Sequence, residues 1–257
     1  LILYYLILYY LILYYLILFK LIIINKIKII MSRFLLDKSI KLLVCDMAGT
    51  TVNEGGIVYK TLYNTIKGYD IYIEPDDMKN WYGVNKTEVL QHFINTDIEY
   101  RNNNTILPQM LDSFKRNLKK SYFEDKNVKL MDPGLPDLFN GFRDRGIKIA
   151  LNTGYSVDIQ EALIDTLDMR DFTDGYISSE SVPNGRPEPF MIQELMTRFD
   201  ITDSNQVVKI GDSINDILEG KNAGCYKSIG VLSGAESREK LLENGADIVI
   251  DSVMDLY

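Results

Sequence analysis

Asp46 stands directly behind the apolar run Leu42-Leu43-Val44-Cys45 and ahead of Met47-Ala48-Gly49-Thr50-Thr51. A carboxylate beside a small residue, a glycine and two hydroxyls can attack an electrophile or hold a hard metal ion. Three further polar groupings follow. Asn152-Thr153-Gly154-Tyr155 sets a hydroxyl next to a glycine amide, Asn184-Gly185-Arg186-Pro187 supplies a fixed cation, and Gly211-Asp212-Ser213-Ile214-Asn215-Asp216 supplies two more carboxylates. Together these are the groups that phosphoryl chemistry needs. Asp46 and Asp212 can share one Mg²⁺, which accepts carboxylate, carbonyl and water oxygens and neutralises charge as it develops. Thr153 and the Gly154 amide can hold phosphoryl oxygens at a helix start, and Arg186 can offer a planar fork to the same oxygens.

Such groups act together only if the chain gathers them. The run ending at Asp46 reads as a buried central strand, and the carboxyl end of such a strand is where open α/β sheets bind ligands. Beyond it, Val58, Leu62 and Ile66, then Val89, Leu90, Phe93 and Ile94, then Leu111, Phe114, Leu118 and Tyr122 form apolar stripes at helical spacing. No convincing strand interrupts them, so residues 54–130 read as a helical insertion, with a loop at 102–105. Lys115, Arg116, Lys119 and Lys120 lie off the stripe and read as a solvated face. Pro133-Gly134 and Pro136 mark the return. Strands and helices then alternate: a helix over 136–145, strands at 147–151, 176–178, 207–210, 227–231 and 248–250, and a helix between each pair. This pattern predicts an α/β fold, a Rossmann-like parallel sheet core covered on both faces with an inserted α-helical cap domain. The expected division is 1–30 as an extension, 31–53 and 131–257 as core, and 54–130 as cap.

Composition narrows the function. The chain of 257 residues carries a net charge of −8, and Lys20, Lys26 and Lys28 are the only charges in residues 1–30, so the remainder is more acidic still. An acidic body argues against nucleic acid as a partner, because phosphate contacts need clustered Lys and Arg. Two distant cysteines make no disulfide framework and fit a reducing compartment. The one histidine, His92, excludes a multi-histidine zinc site, so a metal must be held by oxygen.

Residues 1–15 are three copies of Leu-Ile-Leu-Tyr-Tyr, and a fourth, degraded copy ends at Lys20. The apolar stretch is long enough to span a bilayer, but a five-residue repeat has neither helical nor strand periodicity. Met31-Ser32 reads as a natural start, which makes residues 1–30 a low-complexity extension or an artefact of start assignment. The alternative is an N-terminal membrane anchor, for which the lysines after it favour a cytoplasmic body. Either reading leaves the core cytoplasmic.

The four polar groupings, in this order over residues 40–252, resemble the haloacid dehalogenase superfamily of aspartate-nucleophile hydrolases. The resemblance implies Asp46 as nucleophile, Thr153 as phosphoryl clamp, Arg186 as charge balance, and Asp46, the Ala48 carbonyl, Asp212 and Asp216 as the Mg²⁺ site. Most phosphatases of the superfamily carry a second aspartate where Ala48 stands, and alanine transfers no proton. Asp46-Met47-Ala48-Gly49-Thr50-Thr51-Val52, Asn152-Thr153-Gly154-Tyr155 and Gly185-Arg186-Pro187 with Pro189 are instead similar to phosphonoacetaldehyde hydrolase and its relatives. In that branch a cap lysine forms a Schiff base with the aldehyde, and Lys86 in Gly83-Val84-Asn85-Lys86 occupies the matching place. At the start of a helix its protonated form is disfavoured, which assists a nucleophile; the alternative is a solvated lysine. Gly154 and Tyr155 are expected to contact the substrate, although an aromatic after a strand end equally suits packing.

Two features depart from that branch. Val89 stands where a histidine follows the lysine by three residues, and Gly56 lies near the place of an early cap cysteine. His92 is about 120° further round the helix and reads as a cap surface residue. The expected activity is Mg²⁺-dependent release of phosphate from a small phosphonate or phosphorylated metabolite. A phosphate monoesterase of the phosphoglycolate phosphatase type and a catalytically silent binding protein are the alternatives. By family analogy a homodimer is expected.

Overall fold

A computed structural model of the chain describes residues 9–10, 13–15, 19–20 and 39–256. The expectations for the extension and for Met31-Ser32 fall largely outside these positions. Those described before residue 39 are helical, and among the described residues no helix is long and apolar enough to cross a membrane. Residues 39–254 form one compact unit.

Its centre is β1 (Leu42–Asp46), every residue of which is buried. The sheet runs β5 (Gly175–Ser178), β4 (Lys148–Thr153), β1, β6 (Val207–Gly211), β7 (Lys227–Val231) and β8 (Ile248–Ile250), with each neighbouring pair parallel. Helices on both faces, α4 (Leu135–Arg143) among them, explain the largely apolar strand sequences. Leu42 and Val44 pack with Ala150, Ile177 and Val207 against Met191, Ile192 and Leu195 of α6 (Phe190–Arg198). Each fully buried branched side chain in this cluster contributes about 1.5–3 kcal/mol.

Register turns this packing into a site. Leu42 is level with Lys148 and Val207, so Asp46 is level with Asn152, and Cys45 with Ile210. The polar ends of β1, β4 and β6 therefore share one rim. Both sheet neighbours of β1 come from later in the chain, which makes its carboxyl end a topological switch point.

Between β1 and the rest of the sheet stand α1 (Ile57–Gly68), α2 (Lys86–Thr96) and α3 (Ile106–Lys119), here called the cap helices. Their buried stripes include Val58, Leu62 and Ile66; Val89, Leu90, Phe93 and Ile94; and Ile106, Met110, Phe114 and Leu118. The third stripe begins earlier than the sequence suggests, and Leu111 sits half-buried at its flank. A two-stranded ribbon, unforeseen in the sequence, closes the base of the insertion. In it β2 (Val52–Asn53) pairs antiparallel with β3 (Lys129–Leu130), and Met131 N–H donates to Thr51 O at 2.9 Å. Two-residue strands are too short to leave a periodicity. His92 is exposed and stacks on Trp81, with ring centroids 4.6 Å apart.

The lysines of α3 require a correction. Lys119 pairs with Asp158 at 2.8 Å, and Lys115 lies 3.5 Å from Asp158 and 3.6 Å from Glu180. These acids sit on α5 (Val157–Thr166) and just after β5, so part of the supposed solvated face is a cap-to-core contact.

Candidate active site

Asp46, Lys86, Thr153, Gly154, Tyr155, Arg186 and Asp212 line one chamber between the cap helices and the sheet rim, together with Ala48 and Tyr59. The catalytic and substrate-binding positions expected from sequence therefore meet in one place. Asp216 stands behind them, fully buried, at the start of α7 (Ile214–Asn222). There Ser213 Oγ accepts from the Asp216 N–H, while Asp216 Oδ2 accepts from the Ser213 N–H and hydroxyl, a reciprocal cap that fixes the carboxylate.

Arg186 differs from its expected role. It is only 2% exposed, and its guanidinium is engaged by protein partners. Nη1 donates to Asp46 Oδ1 at 2.6 Å and lies 3.2 Å from Asp216 Oδ1; Nε donates to Glu219 Oε2 at 3.0 Å; Nη2 donates to Asn152 O and Oδ1 at 2.9 and 2.7 Å. The fork expected to face phosphoryl oxygens instead holds Asp46. Two members of this buried network, Lys209 and Glu219, escaped the sequence reading. Lys209 Nζ lies 2.8 Å from Asp216 Oδ1, 3.3 Å from Glu219 Oε2 and 2.7 Å from Asn152 Oδ1. Its one signal was a lysine inside the apolar strand Val207–Ile210, where a charge survives only with buried counter-charges. Glu219 directly follows Leu218, the last apolar residue of its helix pattern, and carried no such signal.

Four buried carboxylates, Asp46, Asp212, Asp216 and Glu219, face two buried cations, Arg186 and Lys209. Burial and Asp216 push the Asp46 carboxyl up to about 6, although Arg186 opposes them. Burial, Asp46 and Asp216 raise the Asp212 carboxyl well above the ordinary range. Asp216 is held below it, because Arg186 and Lys209 outweigh the effect of burial. Ligand oxygens of Asp46, Asp212 and Asp216 lie within 4.8 Å of one another. Asp212 has no ion-pair partner among the described residues; Thr50 Oγ1 and the Ala235 N–H donate to it at 3.3 and 2.7 Å. An oxygen-only cluster with an excess of negative charge fits a hard divalent cation.

Lys86 is 7% exposed, which excludes the solvated-lysine alternative. It begins α2, whose N-terminus is capped by Asn85 Oδ1 accepting from Thr87 N–H at 2.8 Å. Its Nζ donates to Val84 O at 2.8 Å and lies 4.8 Å from the centroid of the Tyr59 ring. Burial brings its ammonium down to about 8, against the opposing pull of Asp46. The preceding loop is seated on three segments of the core. Asn215 Nδ2 donates to Tyr82 O at 2.7 Å, Asn85 Nδ2 donates to Ser179 Oγ at 3.0 Å, and a Cβ on Gly154 would lie 2.9 Å from Val84 O.

Thr153 is buried, and its Oγ1 accepts from Tyr155 N–H at 3.2 Å. Tyr155 both packs and lines the chamber: its hydroxyl is 2.7 Å from that of Tyr122. Val89 is fully buried among the cap helices, so the place of the missing histidine is an apolar contact.

A family description of haloacid dehalogenase-like hydrolases matches residues 40–224. The phosphonoacetaldehyde hydrolase of Parabacteroides distasonis is 27% identical over 254 residues, covering 85% of this chain and 95% of its own. The Bacillus cereus protein of the same name is 25% identical over 261 residues, covering 84% and 94%. A phosphonoacetaldehyde hydrolase-like protein from Oleispira antarctica superposes with a TM-score of 0.73 at 22% identity, covering 85% of this chain and 90% of the other. A haloacid dehalogenase-like family protein of Streptococcus pneumoniae superposes at 0.66 with 16% identity, covering 85% and 97%. With the family match spanning most of the chain and the same sheet carrying Asp46 at its switch point, this protein belongs to the haloacid dehalogenase-like hydrolases.

Proposed function

We propose that the protein releases phosphate from a small phosphonate bearing an aldehyde, with Asp46 as the nucleophile and Lys86 as the group that engages the carbonyl. The carrying observation is a buried lysine in the same chamber as the aspartate. A lysine brought down to about 8 is neutral in about one molecule in ten at pH 7, far more than an ordinary lysine, and only that form is an amine nucleophile. The names of the relatives described above support the same substrate class.

In this reading Nζ adds to the carbonyl carbon, the carbonyl oxygen leaves as water, and a protonated imine remains. Asp46 Oδ then bonds to phosphorus while the carbon–phosphorus pair moves into the imine as an enamine. No acid is needed at position 48, because the electrons leave toward nitrogen. Water cleaves the aspartyl-phosphate, and hydrolysis of the protonated enamine frees Lys86. Arg186 holds Asp46 in line throughout, and Thr153 and the Gly154 amide bind phosphoryl oxygens. Asp46, Asp212 and the Ala48 carbonyl would hold Mg²⁺, with Asp216 positioning the cluster. Bound there, the ion supplies charge neutralisation at the phosphoryl oxygens. The free thiols of Cys45 and Cys225 support a reducing, cytoplasmic setting.

A phosphate monoesterase is the second reading, favoured by Val89, which leaves no imidazole three residues after Lys86. Phosphate release by the full chain with Mg²⁺, from phosphonoacetaldehyde and from phosphoglycolate, separates the two. The proposal expects turnover of the aldehyde that is lost in Lys86→Ala. Turnover of the ester alone, unchanged in Lys86→Ala, would overturn it.

A further inference from the structure

Tyr59, on the first turn of α1, touches three residues of the short turn that carries Lys86. Its ring packs against that of Tyr82 with centroids 4.4 Å apart, its hydroxyl oxygen accepts from Gly83 N–H at 2.8 Å, and its ring centroid lies 4.8 Å from Lys86 Nζ. The turn needs such a hold. Gly83 lies in the left-handed region at φ +76°, and a Cβ there would stand 2.5 Å from Ser213 Oγ, so the backbone passes hard against the loop that carries Asp212. The other contact of Lys86 Nζ is Val84 O, in the same turn, and no carboxylate pairs with the lysine among the described residues. One turn further along α2 stand Val89 and Leu90, both apolar, so Lys86 draws its support from α1. The start of α1 is fixed in turn: Glu54 accepts from Gly56 N–H at 3.0 Å and Val58 N–H at 2.7 Å, and Tyr122 donates to Glu54 Oε2 at 2.9 Å.

We propose that Tyr59 is a positioning residue for Lys86, its hydroxyl fixing the turn at Gly83 and its ring holding the end of the lysine side chain. The inference rests on the proposed role of Lys86 as the amine that engages a carbonyl. The two functions are separable because they belong to different atoms. The hydroxyl, through the Gly83 backbone, sets where the turn holds Nζ. The ring, whose face attracts an ammonium, sets how readily Nζ keeps its proton. Neither hold is an ion pair, so Nζ can leave the ring and Val84 O for a carbonyl carbon without stranding a buried carboxylate.

The test reads imine formation apart from phosphate release. The full chain is incubated with acetaldehyde and cyanoborohydride, which reduces the imine to an ethyl group on Nζ, and alkylation of Lys86 is followed by peptide mass as a function of pH. Tyr59→Phe removes one oxygen and keeps the ring and its packing on Tyr82. It is expected to slow trapping about tenfold on the high-pH plateau, where the amine is neutral, less than the roughly 100-fold of a 1 Å misplacement, and to leave the pH midpoint in place. Tyr59→Leu removes both contacts. It should slow the plateau at least as much and move the midpoint down by about 0.5–1 pH unit, the scale of a lost cation–π contact. Both variants keep Asp46, Arg186, Glu54 and Asp212, the charged groups that act on Lys86, so the difference between them reports the ring. Loosened packing alone does not divide plateau rate from midpoint in this way. An unaltered plateau rate in Tyr59→Phe, or a midpoint in Tyr59→Leu no lower than in Tyr59→Phe, would overturn the inference. Absence of trapping at Lys86 in the unaltered chain would overturn the proposed role of Lys86 itself. Trapping without phosphate release from phosphonoacetaldehyde would instead overturn the substrate reading and leave Tyr59 to be judged on the two variants.

Discussion

Arg186 Nη1 lies 2.6 Å from Asp46 Oδ1 and 3.2 Å from Asp216 Oδ1, so one guanidinium ties the end of the central strand to the helix behind it. Removing it would leave buried carboxylates facing one another with Lys209 as the remaining core cation. Arg186→Ala is expected to lower stability by about 3–5 kcal/mol, the cost of breaking a buried pair. Urea denaturation measures this. Arg186→Lys should recover only part, because an ammonium cannot reach Asp46, Asn152 and Glu219 together.

Asp46→Asn keeps the size of the side chain and an oxygen for Arg186, but loses the attacking carboxylate. Phosphate release should fall on the order of 10⁴-fold or more, with near-ultraviolet circular dichroism unchanged. Retained turnover in a folded variant would remove Asp46 from the chemistry.

The carboxylate crowd predicts how the protein responds to Mg²⁺. Burial raises Asp46 to about 6 and Asp212 well above its ordinary range, so each takes up protons more readily when folded than when unfolded. Stability from these two groups is therefore present at low pH and lost as pH rises through the folded values. A cation that binds their ionised forms offsets that loss. Mg²⁺ should stabilise the fold little at pH 4 and increasingly toward pH 7, by about 2.7 kcal/mol at a hundredfold excess over Kd, read as a rise in thermal midpoint. Asp212→Asn should abolish the shift and, without Mg²⁺, be no less stable than the unaltered chain. Differential scanning calorimetry with and without chelator decides this.

How far the sequence revealed the site follows from what each residue must do locally. Asp46, Thr153 and Asp212 were visible because a polar residue that ends an apolar strand breaks its pattern. The sheet was visible for the same reason, and the strand limits differ by only a residue or two. Arg186 was visible as a cation in a Gly-Pro loop, but its partners were not, because Asn152 and Glu219 reach it across three elements. Tyr122 looked like any stripe residue; its hydroxyl contact is purely tertiary. The β2–β3 ribbon was too short to have a period. Lys115 and Lys119 looked solvated because a helix pattern does not reveal that two acids from another layer face it.

The depressed Lys86 predicts a pH profile for imine trapping. Only the neutral amine adds to an aldehyde, and its population rises with pH, half-formed at about 8. Trapping should climb through that value and level above it, whereas an ordinary lysine would still be climbing near 10. Tyr59→Leu, which removes the ring near Nζ, should weaken the ammonium further and move the midpoint down. A midpoint near 10 in the unaltered chain would show Lys86 to be unperturbed.

Gly154 tests whether the seam between cap loop and core positions Lys86. A Cβ there would lie 2.9 Å from Val84 O and 3.0 Å from Gly83 O, and Val84 O is the atom that accepts from Lys86 Nζ. The Gly154 backbone lies outside the left-handed region, so alanine brings little local strain of its own and its effect must pass through the loop. Gly154→Ala should push the loop outward by a few tenths of an ångström and carry the amine off its line to the carbonyl. Misplacement on the scale of 1 Å costs about 100-fold, so this smaller displacement should lower kcat/KM for an aldehyde phosphonate by about tenfold, while the displaced backbone costs about 1–3 kcal/mol of stability. The same variant should impair an ester substrate less, since Asp46 and Thr153 stand on the core side of the seam. Equal losses on both substrates would locate the damage in the phosphoryl-binding loop instead, and an unaltered kcat/KM would mean that the loop can shift without moving Lys86.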